Sequence, residues 1–390
     1  MWPLPLVCMI GVSGSGIFAY AGGVYMESVT SEFGWTRAQY SSAFMLMMLS
    51  GLFLGPAAGW LIDRLGPRRV ALAGIVPFAA SISLFGLVRG TLWQWYAISL
   101  LVAVFQAGIS QIVWVKAIVS HFDHSRGLAL ALTLAGLGLG SLVWPLLAAF
   151  CIQAVGRRSA FPAMSSLYVL VALPLVFLFF HSAPIEAKSR SDREPRRPIG
   201  ASLRSATFAG LASAAGLFAA CNYGLSMHFV PMLKVAGLGL KGAAGISGLI
   251  GFFTIVGRLA TGVLLDRFPT RLVGVTAFLL PLGTVACLLS LSGTIVPAIA
   301  AAVFLGFGSG AELDLITYIV ARRFGQDMFG AIYAAFMAIV SISASVGPVI
   351  AGVIYDRTRS YAGWLAIVVP AVIAATTIIA WIPLTAERPD

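Results

Sequence analysis

The apolar residues of this chain fall into blocks of about 20, parted by short stretches rich in Gly, Pro and Arg. A block of that length crosses ~30 Å of hydrocarbon as a helix. So many blocks in one chain leave little choice, and the protein must be woven repeatedly through a bilayer. Composition agrees: 59% of the 390 residues are hydrophobic and 10% are charged, against roughly a quarter charged in soluble domains. The expected fold class is an all-α membrane protein.

Twelve spans can be read. The first six cover about 3–28, 37–62, 68–88, 92–120, 127–153 and 160–181. The second six cover about 205–232, 240–265, 270–291, 294–320, 328–354 and 361–384. Between them, 182–204 sets Lys188, Arg190, Arg193, Arg196 and Arg197 among Pro184, Pro195 and Pro198. That is the composition of a flexible polar linker. The expected organisation is a six-helix bundle over 1–181, a linker over 182–204 and a second six-helix bundle over 205–390.

The two halves share one plan. Gly59-Trp60-Leu61-Ile62-Asp63-Arg64 and Gly262-Val263-Leu264-Leu265-Asp266-Arg267 have the same spacing, 203 positions apart. The same offset aligns Tyr20 with Tyr223, Gly34 with Gly237, Gly127 with Gly330 and Pro145 with Pro348. A constant offset over this much chain indicates an end-to-end repeat, hence two pseudo-symmetric bundles. Four residues before the repeated glycine, the first half has Gly55 and the second has Arg258, so the repeat itself needs no arginine there. The glycine runs at 136–140 and 306–310 lie inside spans, with no strand before them. Small residues in that setting let helices approach closely. The matched Pro145 and Pro348 are expected to kink the fifth and eleventh spans.

The net charge is +11, but the basic residues sit mostly at span ends and in the linker. Membrane topology accounts for that pattern, so no nucleic-acid partner is expected. With the N-terminus inside, fifteen Lys and Arg fall on the cytoplasmic side, including Arg64, Arg68, Arg69, Arg126 and the linker group. Eight fall on the other side, including Arg37, Arg89, Arg157 and Arg158. Both termini are therefore expected in the cytoplasm, and the short loops suit a bacterial inner membrane. The first apolar block, Trp2 to about Met26, is too long for a signal h-region and lacks a basic n-region, so it is expected to remain as the first span. Cys8, Cys151, Cys221 and Cys287 all lie in apolar segments without a C-x-x-C pair, so they are expected to be packing residues.

Twelve spans, a six-plus-six repeat, a basic central loop and Gly59-x-x-x-Asp63-Arg64-x-Gly66-x-Arg68-Arg69 together resemble the major facilitator superfamily. A narrower likeness rests on Glu32-Phe33-Gly34-Trp35-Thr36-Arg37, Arg126-Gly127-Leu128-Ala129-Leu130, Gly257-Arg258 and Gly347-Pro348. These segments are similar to the monocarboxylate transporter and oxalate–formate antiporter branch. The resemblance implies that Arg258, in the eighth span, binds a substrate carboxylate. The oxalate–formate type carries a lysine in the eleventh span, and 328–354 has none. The animal monocarboxylate transporters carry a lysine late in the first span, where this chain has Tyr25 and Met26.

Arg258 precedes Asp266 by eight residues, about 12 Å along a helix. That depth is near mid-membrane, where a charge must face the bundle interior or an aqueous cavity. Guanidinium stays charged and can fork onto a carboxylate. The competing role is a structural ion pair with Glu312 or Asp314. These two acids lie in the tenth span, two residues apart and so about 200° apart around the helix. One is expected to face the central pathway and the other a neighbouring helix. A carboxyl group removed from water holds its proton more tightly, which makes either a proton-coupling candidate. Repeat symmetry pairs them with Gln111 and Ile109, so the acidity belongs to the second half alone. His228, near the outer end of the seventh span, is a third proton-coupling candidate. With no second histidine one turn away, metal binding is not expected.

Asn222, Tyr223, Tyr20, Tyr25, Gln111 and Tyr333 are the candidate cavity donors for substrate. Lys116 is expected to snorkel to the headgroups. Asp63, Arg64, Arg68, Asp266 and Arg267 belong to the loop motifs. Their expected role is ion pairing between helices and with helix ends, setting the conformational equilibrium rather than affinity.

The expected function is secondary transport of a small organic monocarboxylate by alternating access between the halves, with a proton as the coupling ion. One cavity cation fits one carboxylate better than two. The alternatives are a carboxylate exchanger and a proton-driven exporter of cationic or amphiphilic compounds that uses Glu312 or Asp314, with Arg258 as their structural partner. No nucleotide loop, nucleophile–base pair or metal cluster is recognisable, so neither an enzyme nor a cofactor is expected. A twelve-helix unit is expected to act as a monomer in the bilayer.

Overall fold

The computed structural model describes residues 2–122, 126–180, 202–291, 294–324 and 326–382. Residues 182–201 of the expected linker lie outside the described residues. Among the described residues, eleven helical segments are long and apolar enough to cross a membrane. One of them, Gly127–Phe179, has 53 residues, far more than one crossing needs. Gly156, at φ 77° and ψ 162°, interrupts its helical backbone. Read as two crossings joined at Gly156, this segment completes twelve spans.

The repeat seen in the sequence reappears in the backbone. Gly34 ends the first span in the left-handed conformation, and its counterpart Gly237 follows the seventh at φ 93°. Gly156 and its counterpart at the same offset, Arg359, both have positive φ, 77° and 55°. A left-handed residue lets the chain reverse out of a helix, and glycine does so at least steric cost. The first bundle uses glycine at this corner and the second an arginine.

Several spans are not continuous helices, and neighbouring side chains compensate. The first span breaks at Gly16. Gln106 Nε2 donates to the Ser15 carbonyl, and Trp144 Nε1 donates to the Ser13 carbonyl at 2.7 Å. The fourth span breaks between Ala107 and Gln111. Trp114 Nε1 donates to the Ile109 carbonyl at 2.9 Å. These indole and amide donors do what water would do at a helix break in a soluble protein. Pro145 and Pro348 lie inside continuous helix.

Two compact units emerge from the contacts. One gathers the first six spans together with Met227–Phe252, and the other gathers the remainder of the seventh and eighth spans with the last four. In the first unit, a methyl group added at Gly140 would meet the Ser13 carbonyl at 2.8 Å, and one at Gly136 would overlap the Met9 carbonyl. On its other side, the fifth span presents Gly138 and Leu142 to Gly251 and Gly248. In the second unit, Gly347 lies against the Ala220 backbone, and Phe218, Phe278, Leu315, Ile319 and Phe336 form the core. The glycine runs thus serve helix contact.

The segment after the first span is a built corner. Thr36 Oγ1 accepts from the Gln39 amide at 3.1 Å while Gln39 Oε1 accepts from the Thr36 amide at 2.9 Å, a reciprocal cap that starts the second span. Trp35 Nε1 donates to the Gly90 carbonyl at 3.2 Å. Glu32 takes Arg157 Nε at 2.6 Å and Arg158 at 3.0 Å, and the Arg157 guanidinium also lies 4.8 Å from the centre of the Phe33 ring. Arg157 is buried, at 6% side-chain exposure. Glu32 keeps 36% side-chain exposure, so the pair is not sealed, and removing the carboxylate leaves the buried guanidinium short of an acceptor at a cost of about 1–3 kcal/mol. Glu32→Ala is therefore expected to lower the thermal midpoint of the purified protein by several degrees, measured by tryptophan fluorescence, while Arg158→Ala, whose side chain is exposed, should change it little.

Candidate functional site

The polar groups of the second unit gather where glycine brings the eighth and tenth spans together. A methyl group added at Gly257 would meet the Phe307 carbonyl at 2.7 Å, and one at Gly310 would overlap the Thr254 carbonyl and approach the Arg258 amide at 2.7 Å. Without side chains at these positions the two backbones touch. Asp314 is one turn beyond Gly310 and so shares its face. Arg258 Nε accordingly lies 3.6 Å from Asp314 Oδ2, with side-chain exposures of 21% and 35%. The pair is an ion pair but not a two-pronged fork, because Nε itself has no aligned hydrogen-bond acceptor.

The opposite face of the tenth span turns toward the seventh. Asn222 Nδ2 donates to Ser309 Oγ at 2.9 Å, and the Ser309 hydroxyl donates to the Leu305 carbonyl at 2.8 Å. Glu312, three residues on from Ser309, shares that face. It is almost fully buried, at 3% exposure, and its Oε1 has no hydrogen-bond partner. Tyr223, next to Asn222, is within electrostatic reach of both Glu312 and Arg258. The two acids therefore diverge as their spacing requires, Asp314 to the eighth span and Glu312 to the seventh. Tyr333 is 3.4 Å from Thr317 Oγ1, linking the tenth and eleventh spans.

The structure thus brings Arg258, Asp314, Glu312, Asn222, Tyr223 and Ser309 into one neighbourhood of the second unit. The sequence reading missed Ser309. Its signal was available, since it sits within the 306–310 glycine run, one turn before Glu312.

The remaining candidates lie elsewhere. Tyr25 is inside the first unit, where its hydroxyl donates to Met164 Sδ at 3.1 Å and its ring stacks on Phe161. Tyr20 is half-buried, with its ring packed over Gly16 and near Gly140. Gln111 is exposed at the start of the second segment of the fourth span. His228 is fully buried, with Nε2 3.3 Å from Ser41 Oγ. Of the loop-motif residues, Asp63 pairs with Lys116 across the second and fourth spans. Arg68 donates to the Phe177 carbonyl at 2.9 Å, at the end of the sixth span. The Arg64 guanidinium lies 4.2 Å from the centre of the Trp60 ring. Asp266 and Arg267 are exposed.

Comparison with known proteins places this architecture. A family model described as Major Facilitator Superfamily matches residues 6–348. The chain belongs to the Major Facilitator Superfamily. It is 24% identical over 358 residues to the agnestins efflux protein of Paecilomyces divaricatus, covering 89% of this chain and 78% of that one. It is 28% identical over 178 residues to the oxalate:formate antiporter of Oxalobacter formigenes, covering 44% of this chain and 40% of that one. Among solved structures, a bacterial homologue of the human lysosomal transporter Spinster superimposes with a TM-score of 0.72 at 16% identity, covering 100% of this chain and 98% of the other. This member of the superfamily is a membrane-embedded transporter whose polar groups lie deep within its spans.

The Arg258–Asp314 contact can be weighed directly. Both side chains keep partial exposure, so their coupling should be near 1 kcal/mol rather than that of a sealed pair. A double-mutant cycle on Arg258→Met and Asp314→Leu, read from thermal midpoints, should give that coupling, with the double variant more stable than the two single changes predict.

Proposed function

We propose that this transporter carries a small organic monocarboxylate together with a proton, and that the halves alternate access to a site anchored on Arg258. The observation that carries the reading is the Arg258–Asp314 geometry. A cation near mid-span is held by a single carboxylate at 3.6 Å, with partial exposure on both sides. Guanidinium presents five donors, and a lone contact at Nε leaves capacity for a substrate carboxylate.

Charge accounting supports the proton. Arg258 and Asp314 already cancel, so an incoming carboxylate adds a negative charge in a region of low dielectric. A proton taken up by Asp314 restores neutrality and lets the substrate replace it as the guanidinium's partner, whereas a proton taken up by an ionised Glu312 returns the site to the charge it had before the substrate entered. Tyr223 and the Asn222–Ser309 pair supply donors around the bound acid. The absence of a second cation in the eleventh span favours one carboxylate over two. The similarity to the oxalate:formate antiporter supports a carboxylate cargo, and it keeps exchange open beside symport. We place the protein in a bacterial inner membrane with both termini cytoplasmic, acting as a monomer. Asp63, Arg68, Asp266 and Arg267 then lie on the cytoplasmic side and tune the conformational equilibrium.

The test is uptake of radiolabelled lactate into proteoliposomes with an inward proton gradient, against protein-free vesicles. Uptake should rise as the outside is made more acidic at fixed internal pH, because a symported proton then runs downhill. Arg258→Gln should weaken apparent affinity by at least about 2 kcal/mol, roughly 30-fold. Glu312→Gln and Asp314→Asn should flatten the dependence on the gradient. Uptake that is insensitive to both the gradient and Arg258 would overturn the reading.

A second reading draws on the same contact. Asp314 already neutralises Arg258, and one relative is named as an efflux protein. In that case Arg258 is structural, Glu312 and Asp314 receive a cationic or amphiphilic compound, and export is driven by protons. Expression in a drug-sensitive host separates the two. Resistance lost with Glu312→Gln but kept with Arg258→Gln would favour export.

A further inference from the structure

Arg157 is a buried cation with most of its hydrogen bonds unmade. Its side chain is 6% exposed. Nε donates to Glu32 Oε2 at 2.6 Å. A guanidinium carries five N–H donors, and the other four belong to Nη1 and Nη2. Both nitrogens are cut off from solvent and meet no acceptor among the described residues. Glu32 is already divided, because its second oxygen takes Arg158 Nη2 at 3.0 Å. Buried donors of this kind call for a bound water or ion.

The surroundings select between the two. The guanidinium lies 4.8 Å from the centre of the Phe33 ring. Phe161, one turn on from Arg157 and so on the same face, stacks on Tyr25 with ring centres 4.0 Å apart. Tyr25 and Tyr40 are within electrostatic reach of the guanidinium. Their hydroxyl protons are committed elsewhere, to Met164 Sδ at 3.1 Å and to the Gly22 carbonyl at 2.8 Å. Two arginines therefore share one carboxylate. Arg157 also opens the sixth span just past Gly156, at the positive end of that helix. Water would satisfy the N–H groups but leave the charge under-compensated. A monovalent anion does both, which matters most for a charge removed from solvent. Because the nitrogens are closed off, the anion must be small.

We infer that Nη1 and Nη2 of Arg157 hold a single halide ion, chloride under ordinary conditions, as a structural counter-ion of the corner between the first and sixth spans. Every residue of this site belongs to the first unit. None belongs to the Arg258 neighbourhood, so the inference does not depend on the cargo or on how it is coupled. Glu32 and the halide compensate the same guanidinium, and as like charges they oppose each other.

The test is the thermal midpoint of the purified protein, read by tryptophan fluorescence, as sodium chloride replaces sodium gluconate at constant ionic strength. The parent should show a saturable rise of about 2 °C, since a ligand of the folded state alone stabilises it. Arg157→Lys keeps the charge but loses the Nη pair, and the rise should vanish. Arg158→Gln, at an exposed position, should keep it. Glu32→Gln should start from a lower midpoint yet half-saturate at about fivefold less chloride, because a competing negative charge is gone. Bromide-soaked crystals of the parent should give an anomalous peak within hydrogen-bonding reach of Nη1 and Nη2, a readout that needs no variant to fold. A parent midpoint indifferent to chloride would overturn the inference, as would a rise that survives in Arg157→Lys or a bromide map with no peak at Arg157. A rise that lactate produces and Arg157→Lys abolishes would overturn it too, because the site would then admit an organic acid.

Discussion

Every backbone amide and carbonyl in the hydrocarbon region must find a partner inside the protein, and that requirement organises the rest of this structure. Helices meet it along most of their length. The costs concentrate where helices break, and there the chain supplies side-chain donors, from neighbouring spans at Gly16 and from the same span at Ile109. Gln106 and Trp144 reach the carbonyls freed near Gly16, and Trp114 reaches the one at Ile109. These side chains tie the first, fourth and fifth spans together at the depth where the first span bends. The breaks are therefore points of connection within the first bundle.

A second consequence follows from the absence of a hydrophobic drive between helices already in lipid. Association depends on close backbone approach, and glycine permits it. Gly136 and Gly140 seat the fifth span on the first, and Gly257 and Gly310 seat the eighth on the tenth. The second contact has a chemical outcome. With two backbones touching at Gly310, Arg258, whose amide is at the contact, and Asp314, one turn beyond Gly310, face each other. The cluster around Arg258 is thus a product of small residues that carry no chemistry themselves.

Much of the architecture was legible before any coordinates. Blocks of about 20 apolar residues can be accommodated in a bilayer only as crossings, and the constant offset of 203 revealed two copies of one plan. The matched left-handed residues at Gly34 and Gly237, and at Gly156 and Arg359, show how far that copy extends into the backbone. Arg258 also stood out in the sequence, because its counterpart is Gly55 and a charge at that depth is expensive. The divergence of Glu312 and Asp314 followed from 100° per residue.

What the sequence determined by itself was the set of spans, their pairing into repeats, and the charges that the repeat does not explain. These are properties of local periodicity and of the solvent, and neither depends on which helix neighbours which. Only the tertiary structure decided that Asp314 rather than Glu312 meets Arg258, that Ser309 holds Asn222, that Tyr25 turns to Met164, and that Lys116 finds Asp63. Each of these depends on the rotation of one helix against another, which is set by backbone contacts at a few glycines. A helical wheel gives the angle between two side chains on one span. It carries no information about the direction in which the span as a whole is turned.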